Sequence, residues 1–355
     1  MTEPIRKEHR HIEFPGGAWT AFDRYSRYGA IVRALRATLG DGPLRVLDVG
    51  DGAGYLAAFD PGLDAVSVDL APTAEPLPGT VRLAADGTRL PFPDASFDAV
   101  VSSDALEHVP PSLREGFLGE LARVSRDLVL VAAPFDTPGV AGAEELARRF
   151  VLLVTGSAQE QLDEHRDHGL PGVDDTVAHF ESLGWQVAVA GAGNLHDWLA
   201  MMLLKHQLVA RPALGPLDTG YDIAYNWLFS ARDHVPPFYR HLVAARRTSS
   251  PSFGAAPASD DGSSADDGAG LLAVFTAANV AEAVRQDTDS RLAATDALVA
   301  DVSPRLAAIE DAVARLDARS QAMATSIDHL LHLVRHPVAG VADKVRRGFN
   351  RTGDG

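Results

Sequence analysis

The chain has 355 residues, enough for one full α/β domain with further segments attached. It contains no cysteine, which excludes disulfides, thiolate metal ligands and a cysteine nucleophile. A net charge of −16 argues against nucleic acid as a partner, because phosphate binding needs a basic face.

No apolar run reaches the ~20 residues that cross a bilayer, and the start Met1–Glu13 is polar, so a cytoplasmic protein is expected. The N-terminal stretch His9–Gly17 is polar and punctuated by Pro15, Gly16 and Gly17, a segment able to close over a site. A helix is predicted over Trp19–Leu39. An apolar strand follows and runs directly into glycines: Val46-Leu47-Asp48-Val49-Gly50-Asp51-Gly52-Ala53-Gly54, with a helix predicted over Tyr55–Phe59. Glycines there permit a tight strand-to-helix turn and let a ligand approach bare backbone. Asp51 is an odd anionic neighbour inside that turn, and pointing to solvent is its simplest role.

A second strand, Val66-Ser67-Val68-Asp69, ends in a carboxylate at about the separation expected for a ribose-binding acid. The third strand, Val81–Ala84, leads into Asp86-Gly87, and a proline-rich loop precedes the fourth strand, Asp98–Ser102. A helix over Ser112–Val124 and a continuously apolar strand, Leu128–Ala133, follow, as a buried central strand requires. Gln186–Ala190 and Tyr239–Ala245 close the set. Strands alternating with amphipathic helices predict a doubly wound, Rossmann-like α/β fold with a seven-stranded, mostly parallel sheet over residues 1–247. Two insertions, 134–172 and 194–237, are expected to form a cap over the substrate.

Gly52-Ala53-Gly54-Tyr55-Leu56-Ala57 also fits the dinucleotide fingerprint, so a nicotinamide or flavin cofactor stays open on that motif alone. The combination of Asp48-x-Gly50-x-Gly52-x-Gly54, Asp69, Asp86-Gly87 and the loop Leu90-Pro91-Phe92-Pro93 resembles the class I S-adenosylmethionine (SAM)-dependent methyltransferases. The similarity spans about Leu44 to Ala133 and is to the branch that includes the quinone-biosynthesis enzymes. It implies SAM as cofactor. It also implies that Asp48 and Gly50 lie beside the methionine amino and carboxylate groups, with Gly52 and Gly54 under the ribose and methionine. Asp69 would bind the ribose hydroxyls, Asp86 the adenine amino group, and Gly87 would supply a backbone contact. Each acid taken singly is equally a helix cap or turn former.

Ser103–Val109, after the fourth strand, carries His108, and in the resembling family this segment faces the acceptor. A histidine titrating near neutral pH suits a general base on a hydroxyl, and capping or anchoring the loop is its plainer role. The first insertion holds Glu164-His165-Arg166-Asp167-His168-Gly169-Leu170-Pro171, where His165 and His168 are candidates for base or sugar-hydroxyl partner. This segment also bears a fainter resemblance to bacterial methyltransferases of surface-glycan clusters. A metal held by His165, Asp167 and His168 fits no familiar zinc spacing, and none is expected. In the second insertion Trp198, Tyr221, Tyr225, Trp227 and Phe238 offer either sugar-stacking faces or the core of a cap helix.

Residues 248–270 are rich in Ser, Ala, Gly, Asp and Pro and read as a flexible linker. Residues 271–336 carry a heptad repeat. Leu292, Val299, Leu306, Val313, Ile327 and Val334 fill one seam position, and Val302, Ile309, Leu316, Met323 and Leu330 the other. A coiled coil is predicted, kinked or restarted at Pro304 with Ser303 as cap, serving a homo-oligomer or a partner protein. An amphipathic helix folded back on the body is the alternative. The tail 337–355 is basic; through 337–351 it offers weak contact with an anionic membrane or, more plainly, a solvated end. The expected activity is O-methylation of a sugar hydroxyl on a cell-surface glycan or glycosylated metabolite, with a small-molecule or glycan acceptor. Alternatives are methylation of a quinone or polyketide-like molecule, or an adaptor whose methyltransferase domain is vestigial.

Overall fold

The computed structural model describes residues 13–14, 18–72, 77, 80–210, 215–255 and 299–335. It divides into two units, residues 1–283 and 284–355.

The first unit is built on one sheet. Its strands are β1 (Leu44–Val49), β2 (Leu63–Asp69), β3 (Val81–Ala84), β4 (Phe97–Ser103), β5 (Ser125–Pro134), β6 (Gln186–Asn194) and β7 (Phe238–Arg246). The order across the sheet is β3-β2-β1-β4-β5-β7-β6. Strands β1 to β5 pair in parallel, and β7 runs antiparallel to both β5 and β6. The strands predicted from sequence are present, most of them longer at one or both ends.

Alternation along each strand divides the core between the two faces. On one, Leu47, Val49, Val68, Val100 and Val129 pack with Phe117 and Leu121 of α3 (Pro111–Val124). On the other, Val46, Ala99, Val101 and Leu130 meet Tyr28, Ile31 and Leu35 of α1 (Phe22–Leu39) and Leu56 and Phe59 of α2 (Tyr55–Phe59). Asp48 shares the parity of Val46, so a carboxylate enters the α1 face.

The insertions supply α4 (Val140–Thr155), α5 (Glu160–His168), α7 (Leu195–Val209) and α8 (Gly215–Ala224); α6 (Val173–Ser182) belongs to the sheet-covering layer. Val140, Ala147, Leu162, Leu195, Trp198, Met201, Tyr221 and Tyr225 form a separate apolar cluster with Phe22 and Tyr239. Both insertions therefore share one core. Tyr221 and Tyr225 serve as packing there; the side chain of Trp227 lies outside the described residues.

The linker begins later than composition implied. Thr248 bonds Asp127, Ser250 bonds Gln186, Ser252 and Thr38 exchange two hydrogen bonds, and Phe253 packs against the α1 side of the core. Polar side chains here satisfy strand and helix ends, which composition alone reads as disorder. Residues 256–298, with the rest of the linker and the start of the heptads, lie outside the described residues, as do the basic tail and most of His9–Gly17.

In the second unit a single helix, α9, runs over Val299–Arg335. It continues through Pro304 without the restart that was one of the two expectations there. The proline stands in the second turn, where it removes one backbone hydrogen bond and leaves the remaining ladder intact. Val313, Leu316, Met323 and Leu330 of the heptad seams are 45–65% exposed within this unit. No described helix is long and apolar enough to cross a membrane.

Candidate active site

The turn after β1 is shaped by close approach. Gly50 has φ +97°, and a Cβ there would stand 2.4 Å from Cβ of Ala105. Gly87 is held tight for another reason: a Cβ would meet the Phe117 ring at 2.5 Å. Asp48 is fully buried at the end of β1, beside Tyr28 and Asp51 and with no cation bonded to either oxygen. Burial first, then the neighbouring Asp51, raises its pKa well above the carboxylate range. A buried carboxylate with no bonded cation fits a cationic group such as an ammonium.

Asp51 does not point to solvent. It is buried and accepts from the backbone N–H groups of Ala53 and Tyr55, so it caps the start of α2 and knits the glycine turn. Asp69 ends β2 as expected, accepts from Ala71 N at 2.8 Å, and stands 3.5 Å from where a Gly52 Cβ would be. Asp86 is exposed and accepts from the backbone and hydroxyl of Thr88, which lower its pKa. Arg82 donates to the Gly52 carbonyl at 2.8 Å, tying β3 to the turn. Asp48, Asp69 and Asp86 thus sit at the carboxyl ends of successive strands, where open α/β sheets receive ligands.

Beyond the turn opens a cavity of about 350 Å³, bounded by Gly50 and Asp51 on one side and by α5 and α7 on the other. Helix α1 contributes Asp23, Arg24 and Arg27, side chains that in sequence look like ordinary surface charges. Arg24 lies over the Tyr55 ring at 3.7 Å. Asp104, just past β4, adopts φ +48°, a left-handed conformation that costs a non-glycine residue about 1–2 kcal/mol. That backbone aims its carboxylate between two arginines. Arg27 binds it at 2.7 Å, and Arg240 of β7 binds it at 2.6 and 2.5 Å while also reaching Asp23 at 2.6 Å. Burial alone would raise the Asp104 carboxyl, but Arg240 and Arg27 outweigh it and hold the group well below the carboxylate range.

The opposite wall brings Glu107 and His108, in the short turn after β4, against His165 of α5. The two imidazoles face each other through their Nε2 atoms at 3.3 Å. His108 Nδ1 meets Glu164 at 2.7 Å, and His165 Nδ1 meets Glu144 at 3.0 Å. Burial first, then His165, lowers the His108 pKa. Glu107 is completely buried, its pKa raised well above the ordinary range by burial and then by Asp104. The chain thus unites His108 and His165, 57 positions apart, and leaves His168 and Arg166 outside the cavity lining. Arg166 and Asp167 pair with each other, so the set His165, Asp167 and His168 does not assemble. Trp198 stacks on Tyr239 at 3.7 Å, and both border the cavity.

Residues 47–131 match the family model of the methyltransferase domain. Among curated proteins, the chain is similar to a demethylmenaquinone methyltransferase of Beutenbergia cavernae, 41% identical over 33% of this chain and 50% of the relative. It is also similar to an uncharacterized methyltransferase of Mycobacterium leprae, 29% identical over 46% of this chain and 68% of the relative. The chain spans about half the length of the first of these relatives. A solved SAM-dependent methyltransferase of Archaeoglobus fulgidus is 14% identical, covering 62% of this chain and 92% of that one with a TM-score of 0.39. The sheet order and the glycine turn are in keeping with that match of residues 47–131 to a methyltransferase domain.

Proposed function

We propose that this chain is a SAM-dependent O-methyltransferase acting on a hydroxyl of a polar, sugar-like acceptor. SAM supplies an electrophilic methyl on a sulfonium, and the protein must hold donor and acceptor in line and let the acceptor lose a proton. The buried carboxylate of Asp48 fits the donor's ammonium, Asp69 the ribose diol, and Asp86 with Gly87 the adenine edge. Arg24, beside the glycine turn, fits the donor's carboxylate. The acceptor would occupy the remaining cavity, its hydroxyl beside the Nε2 atoms of His108 and His165, where the proton is shed.

The observation that carries this proposal is the lining opposite the glycine turn. Arg27, Arg240, Asp104, Gln159, Gln161, His108 and His165 border the cavity. Such a charged and amide-bearing wall suits many hydroxyls, and a lipid-like ring would strip its remaining water without replacing those hydrogen bonds. A second acceptor, a quinone, is favoured by the likeness to the demethylmenaquinone enzyme and opposed by that lining. His168, the third base candidate, would serve the loop instead.

Calorimetry with SAM tests the donor half. Asp69→Ala should weaken binding by ~1.5–3 kcal/mol, the worth of hydrogen bonds to a charged group, and a wild-type chain that ignores SAM would leave only the adaptor alternative. Transfer of labelled methyl to nucleotide sugars and glycosides, with none to demethylmenaquinone, is the expected acceptor result. The reverse selectivity would overturn the sugar assignment. We further propose that α9 joins copies of the chain through its heptad seam.

A further inference from the structure

Glu107, His108 and His165 direct three potential ligand atoms at one point on the cavity wall, all within 4.8 Å of one another. In both imidazoles the Nδ1 atom faces a carboxylate, Glu164 for His108 and Glu144 for His165. A carboxylate accepts and does not donate, so both Nδ1 atoms carry the proton. In the neutral rings both Nε2 atoms are then bare lone pairs, held 3.3 Å apart, with Glu107 Oε1 3.9 Å from that of His165. Neither Glu107 oxygen is bonded by another residue, its own backbone N–H being the one donor beside it, although the side chain is about 1% exposed. Three electron-rich atoms gathered in this largely buried corner repel one another unless a proton or a metal cation joins them.

We propose that Glu107, His108 and His165 bind a divalent transition-metal ion of the zinc type. A tetrahedral ion with metal–nitrogen bonds of ~2.0–2.1 Å needs its donors ~3.3 Å apart, the separation found between the two nitrogens. Two imidazoles and one carboxylate suit Zn²⁺, Co²⁺ or Fe²⁺, whereas Mg²⁺ and Ca²⁺ take oxygen ligands. The outer groups fit as well. Glu144 and Glu164 fix both ring tautomers, and Tyr239 donates to Glu144 at 2.9 Å, an arrangement that orients ligating histidines.

The site deepens the methyltransferase proposal and rests on it only for its use. Glu107, His108 and His165 all border the cavity. Three protein ligands leave a coordination position for a hydroxyl of the acceptor, whose acidity a dication raises. The proton then passes to cavity water as the oxygen–methyl bond forms and the sulfonium departs as a neutral thioether.

The experiment needs no acceptor. Full-length protein stripped with a chelator is titrated with Zn²⁺ against a chromophoric competitor, and with Co²⁺ by its visible absorption. One equivalent should bind. Glu107→Gln and His165→Ala should lower affinity by about 100-fold or more, Glu164→Gln by about 10–100-fold, and His179→Ala, in α6 and outside the cavity lining, should bind as wild type. Calorimetry with SAM on each variant confirms that the fold survives. Protein that binds SAM but takes up neither ion overturns the metal site, and so would unchanged affinity in both ligand variants. A single proton shared between the Nε2 atoms, seen as one far-downfield imidazole resonance that Zn²⁺ does not displace, would overturn it too. Protein that binds Zn²⁺ but not SAM keeps the metal site and removes the methyltransferase proposal.

Discussion

Asp104 illustrates how much one side chain organises. Arg240 is 4% exposed, and its guanidinium is shared between Asp104 and Asp23. Removing the Asp104 charge leaves two arginines facing each other in a poorly solvated wall. Asp104→Asn should therefore cost about 3–5 kcal/mol, the range for breaking a buried pair from one side, measured by denaturant unfolding at pH 7. The pH dependence follows from the depressed carboxyl. A carboxyl lowered on folding adds stability above its unfolded pKa of ~3.9, and that stability is lost as pH falls toward the folded value. Wild type should lose stability steeply below about pH 4, and Asp104→Asn should show a shallower loss. Parallel curves for the two proteins would mean that the pair contributes nothing in solution. Asp48 carries the opposite shift: its raised pKa makes the buried carboxylate a cost at neutral pH in the free chain. A bound ammonium would offset that cost, which is why the same residue is poor for stability and good for recognition.

At the scale of elements, the strands were legible because a buried parallel sheet writes itself as short apolar runs. The positions of the acids proposed for the donor were equally legible, since Asp48 and Asp69 lie at the ends of their own strands and Asp86 just past β3. The acceptor half was not. His108 meets His165 only because α5 is folded over the end of β4, and Asp104 meets Arg240 across 136 positions. Nothing local marks either pairing. Helix α1 gave no signal because Arg24 and Arg27 sit among other charges on an amphipathic helix. Segment 248–255 was misread for a related reason: its contacts are hydrogen bonds from serine and threonine, plus one aromatic. Phe253 is the test. It is only partly buried against the α1 core, so Phe253→Ala should cost about 1–2 kcal/mol, below the 3–5 typical of a fully buried phenylalanine. Ending the chain after Ala255 should leave the melting temperature unchanged, whereas ending it after Arg247 should lower it. Equal melting temperatures would show that the segment does not hold the body.

For the whole molecule, the division into a sheet-based unit and a helical unit raises the question of what α9 is for. An isolated helix of 37 residues gains little from its own hydrogen bonds, and most helical stability in proteins comes from covering an apolar face. Here Leu316, Met323 and Leu330 recur every seven residues, with Val313 three before the first, a seam that a second copy of the same helix would cover. Around that seam Asp311 pairs with Arg315 one turn on, which stabilises the helix without closing the seam. Full-length chain should therefore sediment as an oligomer, while residues 1–283 should sediment as a monomer with unchanged affinity for SAM. Replacing Leu316 and Met323 together by glutamate should convert the full chain to the monomer, because two like charges facing their copies cannot be buried. A full chain that is monomeric at tens of micromolar would dismiss self-association. If the seam variant were also indistinguishable from wild type in every mass measurement, the heptads would have to serve a different protein.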